Sequence, residues 1–168
     1  PRMHDVYGTN ETGILTLTEG LVSQTTIPAA GTLDAQGDVS LATTFDGGTG
    51  RVDVTGAAAR TINFPAGGVF PGFSFEAANV TTNGNSSGTV RIDQGIAVSA
   101  GTVTFAAGTF DIDTTLNVSG GTLTFGSGSA SVGSTSDFSG GTVNGGSGTV
   151  TVTGASTVTG GTVNAGAG

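Results

Sequence analysis

The stretch SGGTLTFGSGSASVGSTSDFSGGTVNGGSGTVTVTGASTVTGGTVN, from Ser119 to Asn164, decides how this chain folds. Within it Gly-Gly-Thr, followed by Val or Leu and preceded by Ser or Thr, returns at Gly120, Gly140 and Gly160. A variant without the first Gly starts at Gly101, so the glycine that precedes Thr recurs at Gly101, Gly121, Gly141 and Gly161 with one constant interval. A fixed period of this length is the mark of a repeat architecture.

Coils counted from the residue that opens Gly-Thr-Val run Gly101–Gly120, Gly121–Gly140 and Gly141–Gly160. The third place of each then holds Val103, Leu123, Val143 and Val163, and the fifth holds Phe105, Phe125, Gly145 and Ala165. The tenth place holds Phe110, Ala130 and Val150; the twelfth holds Ile112, Val132 and Val152; the eighteenth holds Val118, Phe138 and Val158. Each coil thus carries short stretches with apolar residues two apart, the period of a strand with one face inward. Small, turn-prone groups such as Gly126-Ser127-Gly128 separate them. Place sixteen, where Ile96 and Leu116 give way to Ser136 and Ser156, admits either a corner open to solvent or a pair of stacked hydroxyls.

Three short strands per coil of about 20 residues, repeated in register, predict an all-β fold: a parallel β-helix, or β-solenoid, in which each strand pairs with its equivalent one coil away. Antiparallel hairpins would not impose one interval on all three strands. Helix is disfavoured by the Gly, Thr, Ser, Val and Asn content, while Thr, Val, Ile and Phe suit a pleated sheet. Towards the N-terminus the frame continues with drift. Val90, Ile92 and Val98 fall in the expected columns. GGTGRVDVTGA (Gly47–Ala57) matches GGSGTVTVTGA (Gly145–Ala155), and RTINFPAGG (Arg60–Gly68) echoes GTVTFAAGT (Gly101–Thr109). Residues 31–168 are therefore read as β-helix, with an enlarged coil around 69–87, and residues 1–30 as an N-terminal cap or irregular first coil.

Composition bounds the function. The chain has 168 residues, a formal charge of −8, four Arg, no Lys and no Cys. Phosphate neutralisation needs clustered Lys or Arg, so nucleic acid is not an expected partner. Disulfides and thiolate metal sites are absent, and no apolar run has the length of a membrane span, so membrane insertion is not expected. The start at Pro1 points to removal of a leader or tag, or to a longer parent chain.

Residues with chemistry are few. His4 beside Asp5 reads as a solvated pair in a terminal segment. Asp111 and Asp113 flank inward Ile112, with Arg91 and Asp93 at the equivalent places one coil earlier. Stacking is expected to set Arg91 beside Asp111, and Asp93 beside Asp113. The two like charges of Asp93 and Asp113 are read as solvated and relieved by Arg91; they are also a candidate Ca²⁺ site, since oxygen ligands suit that ion, and they resemble the paired carboxylates of glycoside hydrolases of this fold. No catalytic residue is assigned, and no cofactor beyond that Ca²⁺ candidate. Outward places two and four form a hydroxyl and amide face: Thr102, Thr104, Thr122, Thr124, Thr142, Asn144, Thr162 and Asn164. Sequons occur at Asn10, Asn79, Asn85 and Asn117.

The repeats SGGTLTF (Ser119–Phe125), SGGTVN (Ser139–Asn144) and GTVTVTGA (Gly148–Ala155) resemble those of bacterial extracellular β-solenoid proteins. Among these are filamentous-haemagglutinin-type adhesins, autotransporter passengers and β-strand-repeat surface proteins. The resemblance implies an exported, non-enzymatic structural or adhesive protein at the cell surface, part of a stalk or of a filament. Its expected partners are copies of itself end to end, or the rest of a longer parent chain. The assembly edge is expected at Gly161, Thr162, Val163 and Asn164, meeting residues near 8–22. The alternative is an ice- or carbohydrate-surface binding protein that uses the Thr and Asn face, with a surface glycan as partner.

Overall fold

The computed structural model describes residues 14–17, 21–23, 32–41, 49–64, 67–76, 79–84, 88–105 and 107–167, and among them every regular element is a strand. In chain order the first strands are β1 (Ile14–Leu17), β2 (Leu21–Ser23), β3 (Thr32–Ala35), β4 (Val39–Leu41), β5 (Arg51–Val54) and β6 (Ala59–Phe64). There follow β7 (Val69–Phe70), β8 (Gly72–Phe75), β9 (Asn79–Gly84), β10 (Thr89–Ile92), β11 (Ile96–Val98), β12 (Thr102–Phe105), β13 (Thr109–Ile112) and β14 (Leu116–Val118). The last are β15 (Thr122–Phe125), β16 (Ser129–Val132), β17 (Ser136–Phe138), β18 (Thr142–Asn144), β19 (Val150–Val152), β20 (Ser156–Val158) and β21 (Thr162–Asn164).

These strands wind into three parallel sheets around one core. The first sheet has eight strands, in the order β1-β3-β5-β8-β11-β14-β17-β20, and the second has eight, β2-β4-β6-β9-β12-β15-β18-β21. The third has five described strands, β7-β10-β13-β16-β19. Thr102 pairs with Thr122, which pairs with Thr142 and that with Thr162; likewise Phe110 pairs with Ala130, and Ala130 with Val150. The constant interval of the sequence is thus the step between neighbouring strands of each sheet. Among the described residues each strand is paired on both sides except the first and last of each sheet: β1, β2, β7, β19, β20 and β21.

Gly-Gly marks one corner of the regular coils, for two separate reasons. A side chain at Gly120 or Gly140 would place its Cβ 2.3 Å from the carbonyl oxygen of Ser99 or Ser119 in the coil before. The second glycine, Gly121 or Gly141, has φ of +68° or +70°, a conformation that L side chains disfavour. Gly101 shares the second role at φ 70°, which explains why the variant without the first glycine keeps the one it has.

The core follows the predicted columns. Val103, Phe105, Phe110, Ile112, Val118, Leu123, Phe125 and Val132 are all buried. Phe105 stacks on Phe125 with ring centroids 5.5 Å apart and planes 14° from parallel. Phe105 also meets Phe110 edge-on at 4.4 Å, and Phe64 packs against Phe70 and Phe73 at 5.1 and 5.3 Å. Such tilted and offset pairs satisfy the ring quadrupoles. Ser136 is buried (2 % exposed) and its hydroxyl has no hydrogen-bond partner, whereas Ser156 is exposed. Neither a solvated corner nor a hydroxyl pair accounts for Ser136; it occupies the apolar column of Ile96 and Leu116.

Towards the N-terminus the step varies. Along the first sheet Ile14 pairs with Thr32, Thr32 with Arg51, Arg51 with Gly72 and Phe73 with Ile96, so each turn is longer than the one before it. Two of the sequence matches are overturned here. β5, with inward Val52 and Val54, lies in the first sheet with β17 and β20, not in the third with β19. Ile62 pairs with Thr82 and so stands in the column of Phe105, two residues from the place the echo assigned it. An alternating pattern looks the same after a shift of two residues or onto another face, so similarity alone does not fix register. Within residues 1–30, β1 and β2 pair with β3 and β4 as coil strands.

Candidate functional site

The outward face of the second sheet brings together all eight residues of the predicted hydroxyl and amide array. Thr102, Thr122, Thr142 and Thr162 stand in one column, and Thr104, Thr124, Asn144 and Asn164 in another. Adjacent members lie roughly 4.8 Å apart, the spacing of neighbouring strands. The array reaches further back than the repeat frame indicated, because Asn79 and Thr81 pair with Thr102 and Thr104, and Thr61 pairs with Thr81. Its far end carries a chain of side-chain hydrogen bonds. Asn164 Nδ2 donates to Asn144 Oδ1 at 2.8 Å, and Asn144 Nδ2 donates to Thr124 Oγ1 at 3.3 Å. Asparagine continues the threonine column by donating backwards and leaving its own carbonyl oxygen towards the next coil.

On the third face Arg91 stands beside Asp111 and relieves the Asp93 and Asp113 pair, as expected; the new detail is where its hydrogen bonds go. Arg91 is the register partner of Asp111, yet its guanidinium turns to Asp113, with Nη2 2.5 Å and Nε 3.0 Å from Oδ2. Its Nε also lies 3.1 Å from Asp93 Oδ1. The side chain is too long to end over its own neighbour and reaches the pair of carboxylates two places along. What Asp93 and Asp113 offer a cation is therefore offered to Arg91. The hydrogen bond and charge of Asp113, with Asp93 adding to them, hold the Arg91 guanidinium above its ordinary pKa. Among the described residues no group of three or more His, Cys, Asp or Glu side chains comes together. A similar pair, Arg51 and Asp53, joins Nε to Oδ1 at 2.5 Å on the first face.

The C-terminal face of the stack is apolar and open. β19, β20 and β21 are the last strands of their sheets among the described residues. Val158 and Val163 are 55 % and 49 % exposed. A cavity of about 460 Å³ opens there, lined by Phe138, Val143, Val150, Val152, Val158 and Val163. Small residues line it: the column of Phe105 and Phe125 continues with Gly145 and Ala165, and Ser156 follows Ser136 where Leu116 stood. Of the predicted assembly edge, Thr162, Val163 and Asn164 form β21, and Gly161 precedes it. No charged residue follows Asp137 in the sequence, so this face carries no charged side chain of its own.

One further feature stands apart from the predicted sites. A depression of about 330 Å³ lies over the corner formed by Gly50, Gly72 and Gly95, between Arg51 and Asn117. The stacked glycines are legible in the sequence only once the irregular steps are known. Of the sequons, Asn79 and Asn117 are exposed on β9 and β14; Asn10 and Asn85 fall outside the described residues, as do His4 and Asp5. Residues 8–13, the first part of the segment expected to meet the assembly edge, are also outside them.

Comparison with protein-family models, with curated proteins and with solved structures finds no match.

Proposed function

We propose that the chain is an extracellular structural or adhesive β-solenoid, acting as a rigid length of a cell-surface stalk or of a filament built by end-to-end stacking. The observation that carries this reading is the stack itself: parallel strands paired coil on coil around one continuous buried apolar core, with few groups of chemical reactivity on its faces. Open edges template the pairing of another strand, and a head-to-tail contact of this kind repeats without closing. The role is mechanical and non-catalytic. Export and a bacterial surface rest on the likeness of its repeats to those of surface adhesins, and on a composition without Cys. Sedimentation velocity at rising concentration tests the reading. The chain is expected to form species longer than one molecule, and Val158→Asp with Val163→Asp to abolish them while the strand signal in circular dichroism is kept. Identical single rods from both chains at every concentration would overturn it.

A second reading rests on the in-register columns Thr102 to Thr162 and Thr104 to Asn164. A flat, evenly spaced hydroxyl and amide face suits adsorption to ice or to an ordered polysaccharide. Thermal hysteresis, or retention on insoluble glycan, that is lost in Thr122→Lys with Thr124→Lys would support it; no difference between the two chains would exclude it.

A further inference from the structure

From the outward face of the first sheet, we infer that the depression between Arg51 and Asn117 is a binding site for a neutral saccharide, one or two pyranose rings of a glycan. The site is separate from the Thr and Asn face, which belongs to the second sheet, and it does not depend on end-to-end stacking. It adds a discrete contact to the adhesive role proposed above.

The depression lies where two outward columns lose their side chains for two coils. In one column Arg51 is followed by Gly72. Gly95 and Thr115 continue it, each one place before the paired residues Ile96 and Leu116. In the other column Asp53 is followed by Ser74, Ala97, Asn117 and Asp137. The walls at Arg51 and Thr115 are thus three strand spacings apart, roughly 14 Å. Gly72 and Gly95 are not among the glycines with positive φ. A Cβ on them would instead lie 2.9 Å from Gln94 Cβ and 2.6 Å from Thr115 Oγ1. The missing side chains let Gln94 and Thr115 lean over the glycine backbone. The strands β5, β8, β11 and β14 that build this surface are each paired on both sides, so the chain itself walls the depression and no end of the stack contributes to it.

The walls decide the class of ligand. Arg51 is already held by Asp53, Nε to Oδ1 at 2.5 Å and Nη2 to Oδ2 at 3.1 Å. The guanidinium fork and both carboxylate oxygens are engaged with each other, so neither an anion nor a metal ion meets an unmatched charge. The floor offers no strand edge to a peptide: Gly72 N donates to Gly50 O, Phe73 N to Gly95 O and Ile96 N to Thr115 O. Phe73 and Ile96 are buried in the core and give a lipid no apolar floor. What remains for recognition is the side-chain amides of Gln94 and Asn117 and the hydroxyl of Thr115. A primary amide sets a donor and an acceptor side by side, and two neighbouring hydroxyls of a pyranose complement that pair. A volume of about 330 Å³ stands at the small end of ligand pockets, which suits one or two rings.

The test titrates the isotope-labelled full chain, followed by NMR, with the methyl glycosides of glucose, galactose, mannose and N-acetylglucosamine. Methyl glucuronide serves as the charged counterpart. Shifts are expected with at least one neutral glycoside, centred on the backbone amides of Gly95 and Ala97 and the side-chain amide of Asn117. Ala97→Gln fills the depression with an amide in the column where the next coil carries Asn117, and should abolish the shifts while circular dichroism stays unchanged. Asn117→Ala should weaken binding about tenfold, the scale of one hydrogen bond. Asp137→Ala, in the same column beyond the depression, should leave binding as it was. No localised shift with any glycoside would overturn the inference, as would shifts that persist in Ala97→Gln. Methyl glucuronide bound as tightly as the neutral glycosides would overturn the assignment to a neutral ligand. Should Ala97→Gln disturb the strands, undiminished binding in Asn117→Ala overturns the inference by itself. Each of these failures leaves the structural role standing.

Discussion

The side-chain amide of Asn164 donates to Oδ1 of Asn144 at 2.8 Å, across one coil of the solenoid. Side-chain ladders of this kind add to the backbone pairing and fix the register of neighbouring strands, which apolar alternation alone leaves open to a slip of two. Asn144 stands in the middle of the ladder, so Asn144→Leu removes both its bonds and leaves the Asn164 amide without its acceptor. We expect a loss of about 1–2 kcal/mol in urea unfolding, with Asn144→Thr costing less.

Glycine is required at the corner for space as well as for conformation. Gly141 has φ +70° with a neighbouring carbonyl 2.5 Å from a would-be Cβ, whereas Gly67 has φ +75° with nothing near it. Gly67→Ala should cost only the left-handed conformation, about 1–2 kcal/mol. Gly141→Ala should cost visibly more, since the neighbouring strand must shift. Equal losses by chemical denaturation would show that the close approach contributes nothing.

Among the described residues two buried hydroxyls lack partners, Thr82 Oγ1 and Ser136 Oγ. Desolvating a hydroxyl without replacing its hydrogen bond is unfavourable. Thr82→Val, which keeps the shape, should therefore stabilise the chain by about 1 kcal/mol. An unchanged or lowered midpoint would mean that the Thr82 hydroxyl is satisfied in solution.

Burial should separate residues that look alike in sequence. Phe125 is 1 % exposed and stacked on Phe105, while Val163 in the neighbouring column is 49 % exposed. Phe125→Ala should cost about 3–5 kcal/mol, and Val163→Thr less than about 0.5 kcal/mol. Thermal or urea midpoints of the two variants check the contrast.

Arg91 sits at the surface between Asp93 and Asp113. Arg91→Ala should lower the melting temperature slightly at low salt, and the difference should vanish near 1 M NaCl, where the screening length is about 3 Å. Because Asp113 and Asp93 raise the Arg91 pKa, the contribution of the guanidinium charge is fully present below arginine's ordinary range. It is lost only as pH rises through the raised value, so deprotonation of Arg91 produces no change across neutral pH.

What the sequence made legible was whatever recurs at a constant step. From Val90 onwards the inward columns could be named residue by residue, because Val103, Leu123 and Val143 fill the same place in successive coils. Steps that lengthen from turn to turn defeat that method near the N-terminus, and Val52 and Ile62 were referred to the wrong columns. Among the candidate sites, the Thr and Asn face followed from register alone. That Arg91 relieves the Asp93 and Asp113 pair was legible too; that it hydrogen-bonds Asp113 rather than its register partner Asp111 was not, since this depends on the length and rotamer of one side chain.

A filament role for this molecule depends above all on whether its copies stack end to end. Negative-stain electron microscopy of the purified chain, with particle length recorded against concentration, measures it. Eight strands in each of the two longer sheets at roughly 4.8 Å each give an axial repeat of about 40 Å. Rods that lengthen with concentration in multiples of that repeat are the predicted result. Rods of one repeat at every concentration would contradict it.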